Sequence, residues 1–192
     1  MSSSSQNDNQ LVVPIILWGD QPPTHCISCI HITKDFKTVV TGCNDGQLIL
    51  WDFNFEDTSH YLVPRCMLFG HTSNVLCLAN GNLQPTGNQL IVSASENGEM
   101  CLWDTSDGRC IETNKMQSIH TNMICYGMQG HEKARLICNG YYSEILIIDP
   151  LNLTVIFSLA AKINPNWISS IYVKAQKEGA FRLCFSRPRT VF

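Results

Sequence analysis

Cys26-Ile27-Ser28-Cys29, followed closely by His31, is the first group in the chain whose residue types could do chemistry. A C-x-x-C pair beside an imidazole can hold zinc or cycle between dithiol and disulfide. The pair falls in an alternating run, however, where positions i and i+3 point to opposite faces of a strand. No second pair follows at the spacing a zinc site uses. These cysteines are read as packing residues and no metal is expected. His71 and His120 are each followed by Thr, and the reading for His120 is a loop or core residue. There is no G-x-x-x-x-G-K-[ST] or G-x-G-x-x-G loop, so nucleotide binding has no support and no cofactor is expected.

The elements that must position these residues are set out by an internal repeat. VVTGCNDGQLILWD, from Val39 to Asp52, returns without a gap as IVSASENGEMCLWD, from Ile91 to Asp104. Val40, Gly46, Leu50, Trp51 and Asp52 recur as Val92, Gly98, Leu102, Trp103 and Asp104. Each copy reads as a hairpin: a β-branched run, a turn on Asp45-Gly46 or Asn97-Gly98, then an alternating run closed by Trp-Asp. These dipeptides favour type I′ turns, which need positive φ at both central residues. A weaker copy, LICNGYYSEILIID, runs from Leu136 to Asp149, with Ile148 in place of Trp and Ser143 in place of Gly. The period lies in the range of four-stranded blades.

Composition sets further bounds. The chain has 192 residues, 44% of them hydrophobic, enough to bury a core. A formal net charge of -3 with scattered Lys and Arg offers no field for a nucleic-acid backbone or an anionic membrane. The ten cysteines include Cys77, Cys101, Cys125 and Cys138 in apolar runs, where a thiol behaves as a small hydrophobe. The start, MSSSSQNDNQ, carries no secretory pattern, which points to a reducing compartment, free thiols and an unused Asn152-Leu153-Thr154 sequon. The apolar stretch Ile145 to Ala161 is broken by Asp149-Pro150 and suits two strands around a turn better than a membrane helix.

In chain order, residues 1–10 read as a disordered tail and Leu11 to Trp18 as a strand that closes a preceding unit. The first full unit has strands at Cys26 to Thr33, Val39 to Cys43, Gln47 to Phe53 and, after a longer connection, Arg65 to Phe69. The second follows the same plan from Asn74 to Met116, and the third from Met123 to Leu159. A fourth begins at Trp167 to Lys174 and then loses the pattern, leaving 175–192 as a divergent tail. No stretch carries a 3.6-residue apolar period, so helix content is expected to be low.

Gly70-His71 ahead of the second unit, with Trp103-Asp104 closing it, is where the sequence resembles the WD40 family, whose units form the blades of a β-propeller. The resemblance implies an all-β fold: a partial propeller over 11–174 with units at about 25–69, 71–117 and 120–159 and a fourth started at 167. About three blades make an open arc. It also implies a hydrogen-bonded chain of His, hydroxyl, carboxylate and Trp in each blade. Carried onto this sequence, that chain is His25, Thr41, Asp45 and Trp51 in the first unit. In the second it is His71, Ser93 and Trp103, with Asn97 replacing Asp. The physical basis is independent of the family: a buried indole N–H needs an acceptor, and a hydroxyl can accept it and pass the chain on. The same residue types could suggest a Ser-His-Asp hydrolase, but no G-x-S-x-G elbow is present and no enzyme is expected.

Several stretches are more specific: PIILWGDQPPTHCIS, CNDGQLILWD, LFGHTSNVLCL, IVSASENGEMCLWDTSDGRCIE and NPNWISS at Asn164 to Ser170. These resemble the N-terminal propeller of the rabconnectin-3 β family and its close WD-repeat relatives, over about Val12 to Val173. The resemblance implies a cytoplasmic scaffold, peripheral on endosomal or synaptic-type vesicles, that regulates vacuolar proton-pump assembly and vesicle acidification. Its implied partners are the rabconnectin-3 α subunit and proton-pump subunits, with no nucleic acid and no direct membrane insertion. It implies too that this chain is a fragment or truncated form. The alternative is a generic WD40 adaptor of another complex, such as a ubiquitin ligase.

Overall fold

The structure, a computed structural model, describes residues 26–56, 59–84, 86–127, 133–160, 170–175 and 181–186. The tail 1–10, the strand expected at Leu11 to Trp18, and His25 lie outside the described residues. Three four-stranded antiparallel sheets follow one another. The first contains β1 (Ile27–Ile32), β2 (Thr38–Cys43), β3 (Gln47–Glu56) and β4 (Ser59–Phe69). β5 (Val75–Asn80), β6 (Leu90–Ser95), β7 (Glu99–Asp104) and β8 (Cys110–Lys115) form the second. β9 (His120–Tyr126), β10 (Arg135–Gly140), β11 (Glu144–Asp149) and β12 (Thr154–Ala160) form the third. Each is a meander in sequence order, the blade plan of a propeller, and no helix occurs among the described residues.

The repeat dictates how the blades stack. In β2 and β3, period-2 alternation puts Val40, Leu48 and Leu50 on one face and Thr41, Ile49 and Trp51 on the other. Val40, Leu48, Leu50 and Leu68 meet Ile91, Cys101 and Trp103 of the next blade in one apolar cluster. The opposite face of that blade, with Val92, Ala94, Met100 and Leu102, packs on Leu136, Cys138, Leu146 and Ile148 of the third. Each of these side chains contributes roughly 1.5–3 kcal/mol when fully buried, so the stacked faces, not the sheets alone, hold the arc together. The third blade in turn offers Ile137, Ile145 and Ile147 to Ile171. The result is an all-β, open, propeller-like arc.

Three local readings differ from the structure. The turns on Asp45-Gly46 and Asn97-Gly98 are not type I′: only Gly46 and Gly98 have positive φ, at 87° and 83°. Gly46 N donates to Cys43 O and Gly98 N to Ser95 O, so each loop is a hydrogen-bonded turn followed by a left-handed glycine, one residue longer than expected. The longer connection before Arg65 is instead a continuation of the ladder, with pairs from Asp52↔Val63 out to Glu56↔Ser59. Finally, β14 (Phe181–Ser186) pairs with β13 (Ser170–Ala175) inside the stretch read as a divergent tail. Its alternating Phe181, Leu183 and Phe185 suit a strand, but without a Trp-Asp ending it did not register as part of the repeat.

Candidate functional site

In the second blade, β6 and β7 carry Ser93 and Trp103 on the face turned to the first blade, and the loop before β5 brings in His71. Trp103 Nε1 donates to Ser93 Oγ at 2.8 Å, and Ser93 Oγ lies 2.6 Å from His71 Nε2. Indole can only donate, so Ser93 accepts from it and can give its own proton to His71 Nε2. Nδ1 then carries the imidazole proton toward Glu99 Oε2, 3.9 Å away. Burial pushes His71 down to about 4, against the opposing pull of the Glu99 charge, and keeps the ring a neutral acceptor. The rings of His71 and Trp103 meet edge to face, and a Cβ at Gly70 would strike the Trp103 ring.

Asn97, expected as the carboxylate's replacement in this chain, sits beside it. Its Nδ2 donates to Thr72 Oγ1 at 2.8 Å and its Oδ1 accepts from Ser95 Oγ at 2.7 Å. The carboxylate facing His71 is Glu99, a residue the repeat reading missed. Glu99 also accepts from the Thr72 N–H at 3.2 Å. Burial alone would raise its carboxyl, but hydrogen bonds from Asn97 and Thr72 and the Lys115 charge outweigh that and hold it low.

In the first blade Trp51 Nε1 donates to Thr41 Oγ1 at 2.9 Å, the counterpart of the Trp103–Ser93 bond. His25, assigned to the same chain, is outside the described residues. Asp45 Oδ1 caps its own turn by accepting from Gln47 N at 3.2 Å. Trp51 is only half-buried, beside Cys43, Ile49 and Met67, whereas Trp103 is buried to 2% exposure. The third blade uses other residues. His120 Nδ1 lies 2.7 Å from the Tyr142 hydroxyl and Nε2 3.4 Å from Met116 Sδ. Tyr142 occupies the repeat position of Asp45 and Asn97, a correspondence that alignment of the weak third copy contains. Burial pushes His120 down to about 4 and raises the Tyr142 phenol, so both stay neutral.

These arrangements are structural. Ser93 is fully buried, its hydroxyl committed to Trp103 and His71, with no face open to a substrate. Cys26 is exposed, while the half-buried Cys29 thiol donates to Val75 O across the blade junction. Among the described residues no three His, Cys, Asp or Glu side chains are grouped as metal ligands, and Cys26, Cys29, Cys43, Cys66, Cys77, Cys101, Cys110, Cys125 and Cys138 are free thiols.

Two clefts between blades face solvent, each beside a residue at the Trp-Asp position. One, of about 390 Å³, is lined by Lys37, Asp52, Arg65, Asn88 and Ser106. Arg65 stitches its walls, with Nε 3.2 Å from Asp52 Oδ1 and Nη2 donating to Thr105 O at 2.7 Å. The other, of about 420 Å³, has Leu83, Lys133, Arg135, Asp149 and Leu151, with an Arg135–Asp149 ion pair at 3.5 Å.

A family model described as WD domain, G-beta repeat, matches residues 20–52 and 62–104. This is a WD40-repeat protein. The matched residues are those of the first two units, where the Trp-Asp endings and turn glycines stand. Human WD repeat-containing protein 72 is 38% identical to this WD40 chain over 165 residues, which cover 83% of the chain and 14% of that relative. Two solved structures share the fold. Saccharomyces cerevisiae Sqt1 matches with a TM-score of 0.60 at 14% identity, covering 76% of this chain and 42% of that one. The computationally designed Ika4 protein matches with a TM-score of 0.56 at 18% identity, covering 86% of this chain and 94% of that one.

Proposed function

We propose that this WD40 arc is part of a scaffold that takes part in vacuolar proton-pump assembly and vesicle acidification. What supports the reading is the run of family-specific stretches, above all ENGEMCLWDTSDGRCIE, set on a blade whose buried polar groups serve packing alone. With the polar chains turned inward, the two clefts, lined by side chains of both charges, are suited to a peptide or loop of a partner. The partners proposed are the rabconnectin-3 α subunit and pump subunits, on the cytoplasmic side of endosomal or synaptic-type vesicles. No helix among the described residues is long and apolar enough to cross a membrane. Affinity capture of the full-length parent tests the proposal, combined with vesicle pH measured after its depletion. Recovery of pump subunits and a rise in vesicle pH are expected. Unchanged pH with recovery of ubiquitin-ligase subunits would assign the arc to a different complex.

A further inference from the structure

One pair of thiols is brought together by a backbone irregularity rather than by packing. In the β7–β8 ladder Cys101 opposes Thr113 and Leu102 opposes Glu112, but Trp103 opposes Cys110, with the register shifted between Leu102 and Trp103. A regular ladder would set Ile111 there and turn Cys110 to the far face. The bulge instead carries Cys110 onto the face that holds Cys101 and Trp103. The two thiols are diagonal neighbours on that face, close enough for each to shift the other's titration. Cys110 is exposed, with its Sγ 3.6 Å from Glu112 O, and Cys101 is buried, with its Sγ 3.9 Å from His71 Nδ1. This is the arrangement of an attacking and a resolving cysteine: one reachable from solvent, the other shielded and beside it on the same face.

We propose that Cys101 and Cys110 form a peroxide-responsive dithiol that closes to a disulfide between β7 and β8. The Cys110 thiolate attacks the O–O bond of a hydroperoxide. A S–O bond forms, the O–O bond breaks, and the alcohol or water fragment leaves with a proton. Cys101 sulfur then attacks the Cys110 sulfenic sulfur: the S–S bond forms, the S–O bond breaks, and hydroxide departs with the Cys101 proton as water. The two thiols together lose two electrons and the peroxide gains them. The neighbouring Cys101 lowers the Cys110 thiol toward the reactive thiolate, and Cys110 together with burial holds the Cys101 thiol protonated until the second step. The closed bond would staple the outer edge of the second blade across the Thr105–Gly108 turn, beside the buried His71–Ser93–Trp103 chain. This inference does not depend on the proton-pump reading.

The test treats the full 192-residue chain with hydrogen peroxide, blocks remaining thiols and maps tryptic peptides without reduction. Trypsin cuts after Arg109 and Lys115, so Cys110 leaves on its own short peptide, and a second digestion after Glu99 separates Cys101 from Cys66 and Cys77, which share the tryptic fragment Cys66–Arg109. That peptide is expected to appear joined to the one carrying Cys101 and to be freed by dithiothreitol. Cys110 should react roughly tenfold faster than Cys26, which is also exposed. In Cys101→Ser, Cys110 should accumulate as a sulfenic acid trapped by dimedone; in Cys110→Ser, Cys101 should stay reduced. Joining of Cys110 to Cys66 or to a second chain, or reactivity no greater than that of Cys26, overturns the proposal. Should Cys101→Ser fail to fold, the unsubstituted chain and the surface variant Cys110→Ser decide between these outcomes.

Discussion

Trp103 and Ser93 are joined by a 2.8 Å hydrogen bond in a place where neither can find water, because the indole is 2% exposed and the serine is fully buried. Ser93→Ala removes the acceptor for the indole N–H and, in the same stroke, the donor for His71 Nε2. Leaving two buried groups unpaired costs about 2–4 kcal/mol. Thr41→Ala breaks the matching bond to Trp51, but that ring is half-buried and solvent can replace the lost partner, so about 1 kcal/mol is expected there. Urea denaturation of the two variants checks the contrast; equal losses would show that the two blades share one environment.

The same asymmetry bears on the aromatic rings. Trp103→Ala should lose about 3–5 kcal/mol, the range for deleting a large core aromatic. Trp51→Ala should lose distinctly less, since its ring packs on Cys43, Ile49 and Met67 while remaining partly open. Sequence alone treats the two tryptophans as equivalent, and calorimetric melting of both variants separates that reading from this one.

His71 and His120 make stability depend on pH with a definite sign. Both are held at about 4, below the 6.5 of an ordinary imidazole, with burial the leading cause. The unfolded chain therefore binds more protons between the two values, and the folded state loses ground as pH falls. The stabilisation is complete above the unfolded value and disappears as pH drops through the folded one. It amounts to roughly 3 kcal/mol per histidine at most. Urea midpoints taken near neutrality and near pH 4.5 should fall toward acid, and proton uptake should accompany unfolding. A midpoint that rises toward acid would contradict the burial of both rings.

Gly87 and Gly98 share a left-handed backbone, at φ 86° and 83°, yet differ in what surrounds them. A Cβ at Gly87 would meet nothing, whereas one at Gly98 would run into the Met116 carbonyl at the end of β8, in the same blade. Gly87→Ala should cost only the conformational penalty of about 1–2 kcal/mol. Gly98→Ala must also push the end of β8 away from the turn before β7, and its loss should be larger by more than about 1 kcal/mol. Thermal melts of the pair check this, and equal shifts would mean that the end of the β7–β8 ladder yields freely.

Most of the fold is legible in the chain because period-2 alternation and the Trp-Asp ending coincide. Glu99–Asp104 and Glu144–Asp149 fall where the pattern puts them. What stayed hidden depends on contacts that no single strand encodes. Glu99 faces His71 only because β7 delivers it there from the far side of a turn, and nothing in its spacing from Gly98 distinguishes it from a solvent-facing charge. Tyr142 replaces the hydroxyl and indole partners by reaching His120 from the turn itself, a different residue type performing the same satisfaction of a buried ring. The turn type was misread because Asp45-Gly46 and Asn97-Gly98 suit two loop lengths, and the close approach of Gly46 to the His71 carbonyl, a tertiary contact, accompanies the longer one.

The outer strands predict where this chain associates with itself. Among the described residues β4, β8 and β12 each end a sheet, where a strand edge can take a further strand. β4 carries Pro64 and Arg65, and β8 carries Glu112 and Lys115, both devices that discourage strand addition. β12, TVIFSLA, has no charge and no proline, and all its residues are exposed, with Val155, Ile156, Phe157 and Leu159 between 44% and 50%. An uncharged, β-prone edge is a template for a further strand. Ile156→Lys should therefore reduce self-association measured by light scattering and sedimentation, by severalfold at equal concentration. The same change at Ile111, on the protected β8 edge and 44% exposed, should leave it nearly unaltered. Equal effects at the two positions would place the association on exposed apolar area in general, since a strand-pairing edge responds to charge only where pairing occurs.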